Sequence, residues 1–229
     1  NVLYLFSNKG KLLWKKKLGG KILGDIKQVD LYKNKRLQMA FRTKDRFLIL
    51  DRNGKIVKPF NIKLEKNDFS IPLSVFDYDS NRNYRFLVVN SSSTLMYDSK
   101  GKKVTGFNSK SIKERITHPP KHIRISGKDY LIFKQKNRLR ILNRKGQDRI
   151  KLKDDINFSD NTIFSYLDTF MTTDKEGNLV QIDTKGNVFK TKLDLGYNHY
   201  IESTTKSLVT FSENILTIKG IPVKLPFGN

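Results

Sequence analysis

Asp51-Arg52-Asn53-Gly54 stands between two short apolar runs, Phe47-Leu48-Ile49-Leu50 before it and Lys55-Ile56-Val57 after it. A short polar side chain at the first position can accept backbone hydrogen bonds and nucleate a type I turn. Glycine at the fourth supplies the left-handed conformation of a bulged hairpin loop. The pattern recurs as Ser7-Asn8-Lys9-Gly10, Asp98-Ser99-Lys100-Gly101, Asn143-Arg144-Lys145-Gly146 and Asp183-Thr184-Lys185-Gly186. Its glycines lie 44, 47, 45 and 40 residues apart. A degenerate sixth copy surrounds Ile218-Lys219-Gly220-Ile221.

Each turn is entered from a strand-like run, such as Val2-Leu3-Tyr4-Leu5-Phe6, Leu139-Arg140-Ile141-Leu142 or Leu179-Val180-Gln181-Ile182. Two further runs precede most copies, for example Ile26-Lys27-Gln28-Val29-Asp30 and Leu37-Gln38-Met39-Ala40-Phe41. No stretch keeps a helical period. Four short strands per repeat of this length predict a β-propeller blade, whereas a β-sandwich leaves the fixed period unexplained. The expected fold is all-β, a single propeller domain with about five and a half blades in this chain. Residues 1–18 read as a half blade, and 24–64, 71–108, 119–152, 160–193 and 197–226 as blades. The opening Asn1-Val2-Leu3-Tyr4-Leu5 has neither an initiator Met nor a signal peptide. The half blade and this start lead us to expect a longer parent protein whose ring has six to eight blades.

The composition is compatible with that fold. The 229 residues include 45 Lys or Arg, 22 Asp or Glu and no Cys, for a net charge of +23. Fifteen Phe, nine Tyr and one Trp are spread along the chain, which argues against disorder. Absence of cysteine excludes disulfides, thiol catalysis and Cys-based zinc sites. No 18-residue apolar run is present to span a membrane as a helix.

Gly24-Asp25-Ile26-Lys27-Gln28-Val29-Asp30, Asp77-Tyr78-Asp79-Ser80-Asn81-Arg82-Asn83-Tyr84-Arg85-Phe86 and Ile141-Leu142-Asn143-Arg144-Lys145-Gly146 carry a family likeness. The chain resembles the C-terminal propeller of large bacterial envelope proteins, some of which bear a ribonuclease HII label. The resemblance implies a membrane-anchored, periplasm-facing parent, and it transfers no catalytic residue. No acidic metal-ligand cluster of that nuclease type is visible in the sequence.

Asp77, Asp79 and Asn81 alternate as calcium ligands do in a loop. Arg82 and Val88 stand where an EF-hand has Gly and Glu, so an Asx-rich turn is the competing reading. His118-Pro119-Pro120-Lys121-His122 has the spacing of a helical zinc pair, but its prolines prevent the helix. Neither a nucleophile elbow nor a phosphate-binding glycine motif occurs, and Ser91-Ser92-Ser93 reads as a hairpin tip. No cofactor and no small-molecule substrate are called for.

Residues 1–50 carry +10 and 101–150 carry +12, nearly the whole excess. In an up-and-down blade, the first and third turns emerge on one face. Those turns hold Lys33, Lys35, Arg36, Arg82 and Lys128, with Lys9, Arg52, Lys100, Arg144, Lys145 and Lys185 at the repeated tips. The opposite turns mix in Asp45, Glu65, Asp68, Asp154, Asp155, Asp174 and Glu176. One basic face is therefore expected, with Lys33, Lys35, Arg36, Arg52, Arg82, Lys100, Lys128, Arg144, Lys145 and Lys185 as its contact residues. It suits protein partners from a membrane complex, an anionic membrane surface or nucleic acid. Lysine outnumbers arginine 33 to 12, which weighs against base readout. The expected function is a non-catalytic, protein-binding scaffold of an envelope assembly, in protein biogenesis or secretion. Electrostatic nucleic-acid binding and a tunnel-sited hydrolase or lyase are the alternatives.

Overall fold

The computed structural model describes residues 1–65, 71–90, 94–108, 116–152, 155–204 and 207–223. Every regular element in them is a β-strand. The chain divides into two compact units, Asn1–Arg115 and Ile116–Asn229.

The first unit opens with the hairpin of β1 (Val2–Phe6) and β2 (Leu12–Lys17). A four-stranded meander follows: β3 (Lys27–Val29), β4 (Gln38–Arg42), β5 (Arg46–Leu50) and β6 (Ile56–Lys63). The next sheet has three strands, β7 (Ser74–Phe76), β8 (Arg85–Val89) and β9 (Thr94–Asp98). Its expected fourth strand shrinks to one bridge between Tyr97 and Lys103, after which residues 105–106 turn away. The second unit repeats the meander three times. Its sheets are β10 (Lys121–Ile125), β11 (Lys128–Lys134), β12 (Leu139–Leu142) and β13 (Asp148–Ile150); then β14 (Phe164–Tyr166), β15 (Thr169–Thr173), β16 (Asn178–Ile182) and β17 (Val188–Lys192). Last come β18 (His199–Ser203), β19 (Leu208–Ser212), β20 (Ile215–Ile218) and β21 (Ile221–Val223).

The repeated turns form as their residues dictate. Asp51 Oδ1 accepts the N–H groups of Asn53 and Lys55 at 2.9 and 2.8 Å, and Gly54 takes φ 75°. Asp98, Asn143 and Asp183 cap their tips in the same way, and the shorter Ser7 does so at 3.3 and 3.1 Å. Register shifts at Leu5/Phe6, Leu48/Leu50 and Ile141/Leu142 mark the accompanying bulges. The sixth tip differs. Lys219 and Gly220 both have positive φ, which makes a two-residue type I′ turn.

The core lies between consecutive sheets. Phe47 and Ile49 of β5 join Leu73 and, from the next sheet, Phe86, Val88 and Tyr97 in one buried cluster. Phe47 and Phe86 centroids are 5.1 Å apart. Alternate residues Leu48 and Leu50 face the other way, toward Leu3 and Leu18. A third strand covered on both faces must be apolar throughout, which explains the unbroken Phe47–Leu50 run. In the second unit, Ile132 and Ile141 pack on Ile163, Phe170 and Val180 by the same logic.

Two glycines separate the conformational cost of a tip from its steric cost. Gly127 has φ 76° with open space where a Cβ would stand. Gly177 has φ 79°, and its Cβ would meet the Leu195 carbonyl oxygen at 2.2 Å. Gly127→Ala is expected to cost about 1 kcal/mol in urea unfolding, the left-handed penalty alone. Gly177→Ala is expected to cost at least about twice that, because backbone must move. Equal losses would show that Leu195 yields freely.

Candidate functional site

Residues 30–37 link β3 to β4, and a buried carboxylate shapes them. Asp30 accepts the N–H groups of Asn34 and Lys35, both at 3.0 Å, while Lys33 and Lys35 adopt φ of 55° and 63°. Asn34 Oδ1 in turn accepts the Arg36 N–H at 3.0 Å. The loop thereby uses its own polar groups internally and leaves the Lys33, Lys35 and Arg36 side chains exposed. The tip at Arg52 stands beside it. Tyr32, Asn34, Arg36, Leu37, Arg52 and Asn53 line a pocket of about 240 Å³ between this first turn and the third turn of the same sheet. The two turns share a side, as an up-and-down meander requires. Trp14 of β2 braces the tip, donating its indole N–H to the Arg52 carbonyl at 2.8 Å.

The next sheet repeats the loop. Asp77 accepts from Asn81 and Arg82 at 3.1 and 2.9 Å, and Asn81 Oδ1 accepts from Asn83 at 2.9 Å. Asp77 and Asn81 thus match Asp30 and Asn34 as backbone caps, the geometry of an Asx-rich loop. Among the described residues, no group of three His, Asp or Glu side chains is placed to hold a metal ion. The two histidines of the Pro-Pro segment part company: His118 Nε2 lies 2.7 Å from the Asp160 carbonyl oxygen and His122 Nε2 2.7 Å from Asp129 Oδ1.

The expected contact residues fall into two groups. Lys33, Lys35, Arg36, Arg52 and Lys100 in the first unit, and Lys128, Lys145 and Lys185 in the second, are exposed. Arg82 and Arg144 differ because buried carboxylates claim them. Arg82 Nη1 lies 3.4 Å from Asp30, which is 4% exposed. Arg144 Nε lies 2.7 Å from Asp129, which also faces Arg124 at 3.2 Å. Burial pushes the Asp129 carboxyl up, but its hydrogen bonds to His122 and Arg144 outweigh this and hold it below the usual carboxylate range. On the opposite turns, Asp174 is wholly buried against Lys190, and Asp155 pairs with Arg138. Asp68, Asp154 and the Ser91-Ser92-Ser93 tip lie outside the described residues.

Two buried cations were hidden in the sequence. Arg42 and Lys134 each end the second strand of a meander, opposite Phe47 and Leu139. Arg42 Nη1 donates to the Val89 carbonyl at 2.9 Å, and Lys134 Nζ donates to the carbonyls of Ser159, at 2.8 Å, and Asn161. Each thereby ties its sheet to the following one. The tertiary fold places these carbonyls beside them. Beyond Lys134, Thr173 Oγ1 lies 2.7 Å from His199 Nε2, while His199 Nδ1 donates to the Gly196 carbonyl at 2.8 Å. This looks like a hydroxyl and its base. Thr173, however, is 0% exposed, so no substrate carbonyl could reach it. The pair serves as a clamp between sheets.

No protein-family model and no curated protein matches the chain in sequence. Solved structures match in fold. BamB from Moraxella catarrhalis aligns with 97% of this chain and 66% of its own at TM-score 0.62 and 14% identity. The WD40 domain of Neurospora crassa Pan2 aligns with 95% of this chain and 68% of its own at 0.56 and 12%. BBS1N, in complex with ARL6DN, aligns with 93% and 69% at 0.60 and 9%. The chain spans about two thirds of each structure's length. All three are β-propellers, and the chain has the β-propeller fold.

Burial lowers the Lys134 ammonium to about 8. The unfolded chain keeps this proton up to about pH 10.4. Between those values the unfolded state binds more protons, so this group makes stability rise with pH. Relative to Lys134→Met, the protein is expected to gain up to about 3 kcal/mol between pH 7.5 and 10.5 in urea unfolding. A pH-independent difference would mean that Lys134 titrates normally.

Proposed function

We propose that this propeller is a non-catalytic scaffold that captures a protein partner through its basic hairpin tips. The observation that carries the reading is the division of labour within the tips. Backbone-capping carboxylates and amides are consumed internally, while Lys33, Lys35, Lys100, Lys128, Lys145 and Lys185 extend with no side-chain partner among the described residues. Short loops tied in this way present charge with little ordering cost on binding. BBS1N, bound to ARL6DN, is an example of this fold carrying a protein partner. The family resemblance in the sequence supports a cell-envelope setting, periplasm-facing and anchored through another part of a parent chain, with membrane-complex components as partners.

Arg82 and Arg144 are left out of the contact set, because reversing either would strand a buried carboxylate. Lys33, Lys35, Arg36, Lys128 and Lys145 are each changed to Glu together. Capture of protein from a solubilised, nuclease-treated envelope extract is expected to be lost, with the melting midpoint within about 3 °C of the parent. Undiminished capture by the reversed protein would refute the reading. Loss of capture on nuclease treatment alone would favour the nucleic-acid alternative.

A further inference from the structure

Among the described residues, arginine side chains are almost all engaged. Arg42 and Arg85 donate to carbonyls, and Arg46 donates to Asn61. Arg82, Arg124, Arg138, Arg140 and Arg144 face carboxylates, while Arg149 covers the Tyr130 ring. Among the described residues, Arg36 and Arg52 alone have guanidinium groups with no acceptor, carboxylate or ring. Both line the same 240 Å³ pocket. Two unspent planar forks lining one pocket from two separately braced turns suit two carboxylates.

The surroundings narrow the ligand. A phosphate site draws on backbone N–H groups. Here the N–H groups of Asn34, Lys35, Asn53 and Lys55 are already given to Asp30 and Asp51. Tyr32 and Leu37, 58% and 45% exposed, add apolar walls beside the charges. We infer that the Arg36–Arg52 pocket is the anchor for an acidic peptide segment of the partner, one that carries two carboxylates next to an apolar side chain. The inference rests on the basic-tip reading and sharpens it to one pocket.

Fluorescence anisotropy with the full chain and a fluorescein-labelled peptide of repeating Leu-Glu-Glu tests it. Three charge-matched double variants are compared: Arg36→Gln with Arg52→Gln, Lys128→Gln with Lys145→Gln, and the off-tip control Lys44→Gln with Lys63→Gln. The first is expected to lose at least about tenfold in affinity, the second about twofold or less, and the control nothing. Equal losses in the first two, with the control intact, overturn the pocket and leave the basic-tip reading standing. Equal losses in all three, or no binding by the parent protein, overturn both. Tighter binding of a phosphoserine peptide or a single-stranded RNA of equal length also overturns the carboxylate assignment.

Discussion

Everything at the hairpin tips depends on one small electrostatic arrangement: a side-chain oxygen held against two backbone N–H groups. It closes the turn at Asp51, Asp98, Asn143 and Asp183, and a carboxylate in the first-strand loops at Asp30 and Asp77 does the same for longer connections. A turn whose amide donors are already satisfied needs nothing further from its neighbours. The second and third tip positions are then free of any duty to the turn, and among the described residues Arg144 alone of the basic ones there pairs with a buried carboxylate, that of Asp129. The basic surface follows from this satisfaction of the backbone, since lysines there neither support the turn nor disturb it.

The stacking of sheets imposes the complementary demand. Wherever a strand lies between two neighbours, both of its faces must be apolar, as at Phe47–Leu50. Where a second strand ends, polar backbone of the following sheet is left in a dry setting, and Arg42 or Lys134 reaches across to it. A buried ammonium is costly to desolvate. Two carbonyl oxygens offset part of that cost, and the lowered proton affinity of Lys134 reports the remainder.

The fold could be read in the sequence because its determinants are local. Turn chemistry at a fixed period and alternation between turns specify meanders without knowledge of tertiary contacts. What could not be read depends on distance in sequence. Arg82 looked like a free cation until the fold brought it to Asp30, and Arg144 until it met Asp129. The carbonyl partners of Arg42 and Lys134 are likewise distant in sequence. The pocket was half legible: Arg36 and Arg52 stand out as tip residues, but Tyr32 and Leu37 as its walls require two turns of one sheet to be side by side. The shortened third sheet has a local cause that the repeat obscured, the turn at residues 105–106 cutting off its last strand.

The capped tips also bear on how such a surface can change over generations. The first and fourth positions, Asp51 and Gly54 for example, carry the whole structural requirement, while Arg52 and Asn53 between them carry none of it beyond the Trp14 contact with backbone. Substitutions in the middle pair are therefore nearly neutral for folding and visible to selection only through what they touch. A lineage can rewrite its ligand preference tip by tip, each step tolerated, with no passage through an unfolded ancestor. For an engineer the same separation leaves nine of the ten middle positions of the five tips addressable, Arg144 being held by its pairing with Asp129.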